Sequence, residues 1–167
     1  MVNDVEIREA RAIDLEQIAA IDALCFPEGD ADRERAAPGE LEAGVAAGDI
    51  TVAQDPTEIV GFLHVTRPSP RHTYIAAVGV RPEARNGGVG AALLDAFLKS
   101  LDGESRSVSS LSTVTSPRNL AMLRLLFSRG FVIRTIMRDY FGHCKDRFYC
   151  QLGIRSRFID PDDRYLV

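Results

Sequence analysis

Val78-Gly-Val-Arg-Pro-Glu-Ala-Arg-Asn-Gly-Gly-Val-Gly90 runs directly into Ala91-Ala-Leu-Leu-Asp-Ala-Phe-Leu-Lys-Ser-Leu101. Upstream, Tyr74 to Val80 is short, apolar and rich in β-branched or aromatic residues, as a buried strand is. Downstream, Leu93, Leu94, Phe97, Leu98 and Leu101 recur on one face of an amphipathic helix. Between strand and helix lie Pro82, Arg85 and the glycines at 87, 88 and 90. A strand, a glycine-rich turn and a helix start form an anion site. The first helical turn presents unpaired N–H groups, the helix dipole adds partial positive charge, and missing Cβ atoms let a phosphate approach.

The spacing narrows the anion. Glycines at 87, 88 and 90 do not fit G-x-G-x-x-G, and no Lys-Ser or Lys-Thr follows as a P-loop requires. Arg85-x-x-Gly88-x-Gly90 does fit the Arg/Gln-x-x-Gly-x-Gly/Ala turn of the GNAT acyltransferase superfamily, which the sequence resembles. Val78, Val80 and Pro82 match that family's lead-in, and Leu93-Leu94 its helix. The resemblance implies that the turn Arg85, Asn86, Gly87, Gly88, Val89 and Gly90 holds the pyrophosphate of coenzyme A, with acetyl-CoA as the co-substrate. It also implies that Val78, Gly79 and Val80 bind pantetheine through main chain and polarise the thioester carbonyl, because the parallel strands splay beyond the central one. A ligand-free glycine turn is the plainer alternative.

Composition bounds the rest. The chain has 167 residues, 46% of them hydrophobic and 26% charged, which fits one ordinary globular domain over 1–167. A formal net charge of −4 argues against general affinity for nucleic acid or anionic membranes. The cysteines at 25, 144 and 150 are odd in number and form no disulfide framework, which favours a reducing compartment. The acidic start carries no signal-peptide core, and no apolar run reaches the ~18 residues of a membrane span. A cytoplasmic location is the expectation. Metal ligation is not expected, since His143, Cys144 and Cys150 lack paired short spacings.

Along the chain, Val5-Glu-Ile-Arg-Glu-Ala alternates as a first strand, and Asp14-Leu-Glu-Gln17 has the spacing of a capping box. Leu15, Ile18, Ile21, Leu24 and Cys25 make the apolar stripe of a helix that stops at Phe26-Pro27. Glu28 to Arg35 reads as an exposed charged loop, and Pro38 as the opening of a short helix ending at Gly48. Ile50–Ala53 and Ile59–Thr66 should pair as a hairpin around Gln54 to Glu58. Val108–Val114 is a Ser-rich strand. Ser116-Pro117 has the form of a helix start. Met122, Leu123, Leu126 and Phe127 give that helix its buried face, and Gly130 its stop. Phe131–Tyr140 and Arg147–Leu152 are the last strands. The order β-α-α-β-β-β-α-β-α-β-β is α/β with a mixed, mostly antiparallel sheet. The GNAT resemblance, covering about 5–152, implies the same layout.

Ser116-Pro-Arg-Asn119 to Gly130-Phe131 resembles the GNAT helix whose Asn touches the coenzyme, which assigns Asn119 to the cofactor. A capping role for Asn119 is the alternative. Arg81 and Arg118 are further candidates for the phosphates. Many members carry a Tyr acid seven residues after the Asn; here that position is Leu126. Met137-Arg-Asp-Tyr140-Phe141 instead resembles the Tyr-containing stretch of the ribosomal-protein N-terminal acetyltransferase group, which makes Tyr140 the candidate general acid. Cys25-Phe26-Pro27-Glu28 resembles that group's substrate loop, with Glu28 in place of Trp. The group's Glu aligns with Ile133, so the base is left among Glu28, His72 and Asp139. An ammonium of pKa ~10.4 must lose a proton before attack. The acceptor is expected to be a peptide or small-molecule primary amine, with the acidic excess of residues 28–40 favouring a cation. A homodimer is compatible with the sequence. An acyl-CoA-binding module without turnover is the alternative function, and another nucleotide binder using the same turn a further one.

Overall fold

The computed structural model describes residues 5–26, 36–103 and 109–153, with the side chains of 102 and 103 left aside. It contains strands β1 (Glu6–Glu9), β2 (Ile50–Gln54), β3 (Ile59–Ser69), β4 (His72–Val80), β5 (Ser110–Thr115), β6 (Val132–Met137) and β7 (Arg147–Gly153). The helices are α1 (Leu15–Cys25), α2 (Glu40–Ala46), α3 (Val89–Gly103) and α4 (Leu120–Phe127). The sequence order of elements is the expected one. The strands form a single sheet in the order β1-β2-β3-β4-β5-β7-β6. Every neighbour is antiparallel except β4 with β5.

Two apolar clusters cover the two faces of this sheet. On one side, Leu93, Leu94, Phe97 and Leu101 of α3 and Leu123 and Leu126 of α4 pack on Leu63, Val65, Ile75 and Leu111. Each such side chain, fully buried, contributes about 1.5–3 kcal/mol, so this face anchors the glycine turn. On the other side, Ile18 and Ile21 of α1 and Leu41 of α2 pack on Ile50, Val52, Ile59, Phe62 and Ala77. Gly79 lies in that second layer: a Cβ there would meet the Phe62 ring at 2.5 Å and Ile21 at 3.2 Å. The missing side chain lets Phe62 and α1 close over β4.

Several local expectations need correction. Asp14 makes no side-chain cap for α1; it closes the 3-10 turn Ala12–Asp14, accepting from Arg11 N at 2.7 Å and pairing with Arg8 at 2.7 and 2.9 Å. Within α1, Leu24 is exposed and Asp22 is buried, so the apolar stripe is narrower than its period suggests. The second helix starts at Glu40 rather than Pro38, with Gly39 as its cap. The fourth starts at Leu120 rather than beside Ser116-Pro117, and Phe127 on it is exposed. Strand β6 ends at Met137, because Arg138 to Phe141 turn toward β7. Val108 and the charged loop from Glu28 to Arg35 lie outside the described residues, as do residues 154–167.

Candidate functional site

The parallel pair β4–β5 carries the site. Register holds only for His72 with Ser110, Thr73 with Leu111 and Tyr74 with Ser112. Thr113 Oγ1 still donates to the Ile75 carbonyl at 2.9 Å, and beyond that the strands part. On its other edge β4 remains paired with β3 through Val80. Arg81 N donates to the Val60 carbonyl at 2.9 Å, which fixes the phase of this antiparallel ladder. Hydrogen-bonded and non-bonded pairs alternate. Gly79 therefore spends its main chain on Phe62, while Val78 and Val80 turn theirs into the gap. Arg85 Nε confirms the direction by donating to the Val80 carbonyl at 3.1 Å.

Two adjoining cavities occupy the gap, of about 560 and 470 Å³. The smaller runs from Val78 and Val80 to Arg85, Asn86, Gly88, Val89 and Gly90. There the chain makes a tight reversal: Asn86 has φ 63° and Gly88 φ 85°. Ala92 N donates to Gly88 O at 2.9 Å, so the N–H groups of Val89, Gly90 and Ala91 precede the helical ladder. This end of α3 offers aligned donors and the positive end of a helix dipole to an anion. The arrangement fits a pyrophosphate carrying an extended amide arm, with the arm's polar groups reaching Val78 and Val80. Asn119 borders both cavities. It is also the N-cap of α4, accepting from Met122 N at 3.1 Å. The cap uses the side-chain oxygen and leaves the amide N–H₂ as the group a ligand can meet.

The larger cavity joins both faces of the sheet. From the α1–α2 side it takes Cys25, Phe26 and Glu40, from the α4 side Asn119 and Met122, and from the turn after β6 Tyr140. Tyr140 stands in the turn after β6 rather than in a strand, and is 45% exposed. Its ring meets Phe141 edge-on with centroids 4.7 Å apart. The Arg147 guanidinium lies 4.8 Å over Phe141. This stack of cation, ring and ring fixes the turn that presents the phenol.

Other sequence candidates fall elsewhere. Leu126 is fully buried in the core, so its position does not face the cleft. Arg81 is tied to the Ile59 carbonyl at 2.8 Å and to Glu58 at 3.0 Å, away from the turn. Arg118 does line the larger cavity. His72 Nε2 is 2.6 Å from Ser112 Oγ, at the end where β4 and β5 are still joined. Asp139 accepts from Cys144 N at 2.6 Å within the exposed turn. Neither lines either of these two cavities. Glu28 is outside the described residues. No cluster of three or more metal-ligating side chains occurs among the described residues. Burial pushes the Cys150 thiol up from its ordinary pKa, so it is the least nucleophilic form of cysteine. The sequence reading singled out no role for Glu40 or Arg147, both of which line the cleft, while Cys25 stood in the stretch that resembles a substrate loop. Of those two, Glu40 had a signal, as the last member of the acidic segment expected beside the acceptor.

Comparison with known proteins gives the class. The sequence model of the Acetyltransferase (GNAT) family matches residues 15–131. The chain belongs to the GNAT acetyltransferase family. No curated protein matches it in sequence. Among solved structures, it is similar to the ribosomal-protein-alanine N-acetyltransferase of Brucella melitensis (TM-score 0.73, 23% identity, 89% of this chain and 99% of that one). It is similar to yncA of Salmonella typhimurium, a putative acetyltransferase solved with its cofactor acetyl-CoA (TM-score 0.75, 19% identity, 96% and 99% covered). A third is Arabidopsis thaliana Naa50 in complex with the bisubstrate analogue CoA-Ac-MVNAL (TM-score 0.74, 18% identity, 90% and 99% covered). At these identities the likeness is one of fold. No helix among the described residues is long and apolar enough to cross a membrane.

Proposed function

We propose that this chain is an acetyl-CoA-dependent N-acetyltransferase that passes the acetyl group directly to a primary amine on a peptide or small molecule. The observation that carries the reading is the early end of the β4–β5 pairing, which turns the main chain of Val78 and Val80 toward a cleft ending at the first turn of α3. Arg85 and the N–H groups of Val89, Gly90 and Ala91 hold the pyrophosphate. Val78 and Val80 pair with the amide arm, and the Asn119 amide donates to it. Acetyl-CoA supplies an acyl group already activated by a good leaving thiolate. The chain's own part is to aim main-chain donors at the developing oxyanion and to keep the phenol of Tyr140 at the cleft, where it serves as the proton donor.

A binding module without turnover is the second reading, favoured by Leu126 in place of a tyrosine on α4. Tyr140 lining the cleft weighs against it. Thermal unfolding with acetyl-CoA, CoA, ATP and NAD tests the cofactor. At about 100 times its Kd a ligand adds ~2.7 kcal/mol. Stabilisation by the CoA compounds alone is expected. A larger effect of ATP or NAD would overturn the reading, and silence over a broad amine panel despite CoA binding would favour the module.

A further inference from the structure

Glu40 is the sole carboxylate among the described residues that line either cavity. It is the first residue of α2, and one backbone hydrogen bond orients its carboxylate. Oε2 accepts from Ala37 N at 2.8 Å, while Oε1 lies 3.9 Å from Nδ1 of His64, a side chain 4% exposed on β3. The Glu40 side chain itself is 40% exposed, so a carboxylate that is held in place still faces the solvent side of the cleft. It approaches from the α1–α2 face, whereas the anion turn, Asn119 and α4 lie on the other. An amine entering from the α1–α2 side would meet Glu40 before it reached the parted strands.

We propose that Glu40 receives the ammonium of the acceptor and removes its proton, so that the acceptor is a cationic amine; this rests on the acetyltransferase reading above. The Glu40 carboxylate takes one proton from the ammonium. The freed nitrogen lone pair forms the N–C bond to the thioester carbonyl carbon. The C–S bond breaks with its electron pair on sulfur, and the Tyr140 hydroxyl protonates the leaving thiolate. The second nitrogen proton returns to the Tyr140 phenolate, and Glu40 releases its proton to solvent. The ionisable groups around this step are Cys25 of α1, Tyr74 of β4, Arg118 before α4, Tyr140 and Arg147 on the cavity wall, and His64 behind Glu40.

The test uses the full chain with Glu40→Gln and Glu40→Asp, with 1,5-diaminopentane, ethanolamine and the amidated tripeptide Ala-Gly-Gly as acceptors. Glutamine keeps an oxygen for Ala37 N and removes only the charge. In Glu40→Gln, kcat should fall about 10²- to 10⁴-fold, the range of a lost general base. Glu40→Asp should restore part of the rate. Calorimetry on the CoA-saturated protein should show weaker 1,5-diaminopentane binding in Glu40→Gln. The thermal shift given by acetyl-CoA should be unchanged. A kcat in Glu40→Gln within about threefold of wild type would overturn the role of Glu40. So would wild-type protein that binds acetyl-CoA and acetylates none of these amines. Absence of any acetyl-CoA shift in wild type would instead remove the underlying acetyltransferase reading.

Discussion

Arg85 Nε donates to the carbonyl of Val80 at 3.1 Å, and Arg85 Nη2 sits 3.6 Å from the Cys25 sulfur. The guanidinium thus spans the seam between strand end, turn and α1. It occupies the Val80 carbonyl and leaves the Val80 N–H and the Val78 main chain for an amide arm. Arg85→Ala should weaken acetyl-CoA binding by roughly 10- to 100-fold, the worth of one or two charge-assisted hydrogen bonds. The loss should shrink at high salt. Isothermal titration at two ionic strengths checks it.

Asn119 divides its two ends between helix and cleft, so two variants separate the roles. Asn119→Asp keeps the cap on Met122 N and removes the amide donor. It should leave the melting temperature near wild type while weakening acetyl-CoA several-fold. Asn119→Ala should lose about 1 kcal/mol of stability as well. Equal melting temperatures in the two variants would dismiss the cap as a stabilising contact.

Tyr140→Phe keeps the ring against Phe141 and removes the hydroxyl proposed as proton donor. With the side chain 45% exposed, stability should hold. Turnover should drop about 10²-fold or more, with little change in acetyl-CoA affinity. Steady-state kinetics beside a binding titration reads both.

Far from the cleft, the Asp14 carboxyl is held below its ordinary range, first by the hydrogen bonds from Arg8 and further by the N–H of Arg11, against the opposing effect of burial. A carboxyl depressed in the folded state stabilises fully above its unfolded pKa of about 3.9, and that contribution is lost as pH falls through the folded value. Asp14→Asn should cost about 2 kcal/mol near pH 7. The gap from wild type should close as the pH drops below about 4. Urea unfolding at pH 7, 5 and 3 follows the difference.

The order of elements was legible because each long segment declared its own period. Leu93 to Leu101 could only be a helix packed on one side, and the glycines before it marked where that helix begins. Ends of elements were less legible. Ser116-Pro117 carries every feature of a helix start, yet Asn119 takes the cap, and the two sites lie too close for composition to choose. Asp14 resembles a cap until Arg8 arrives from β1, and that partner is a tertiary fact. The turn before α3 was readable because main-chain geometry there depends on glycine spacing. The larger cavity is assembled from α2, β4 and the turn before β7, so Glu40 and Tyr140 come to line one cavity only once the sheet has formed.

The brief β4–β5 register gives the sheet an edge strand in its own interior. Main-chain groups of Val78 and Val80 on this side have no strand partner, although the Val80 carbonyl accepts from Arg85 Nε, and they border a cleft lined by residues of α1 and α4. An edge is ordinarily an invitation to aggregation. Recessed in this way, it becomes a slot with strand-like hydrogen-bonding capacity. The same three residue pairs that open the slot are the hinge stitches between a four-stranded leaf and a three-stranded one, so whatever fills the slot also splints the two leaves together.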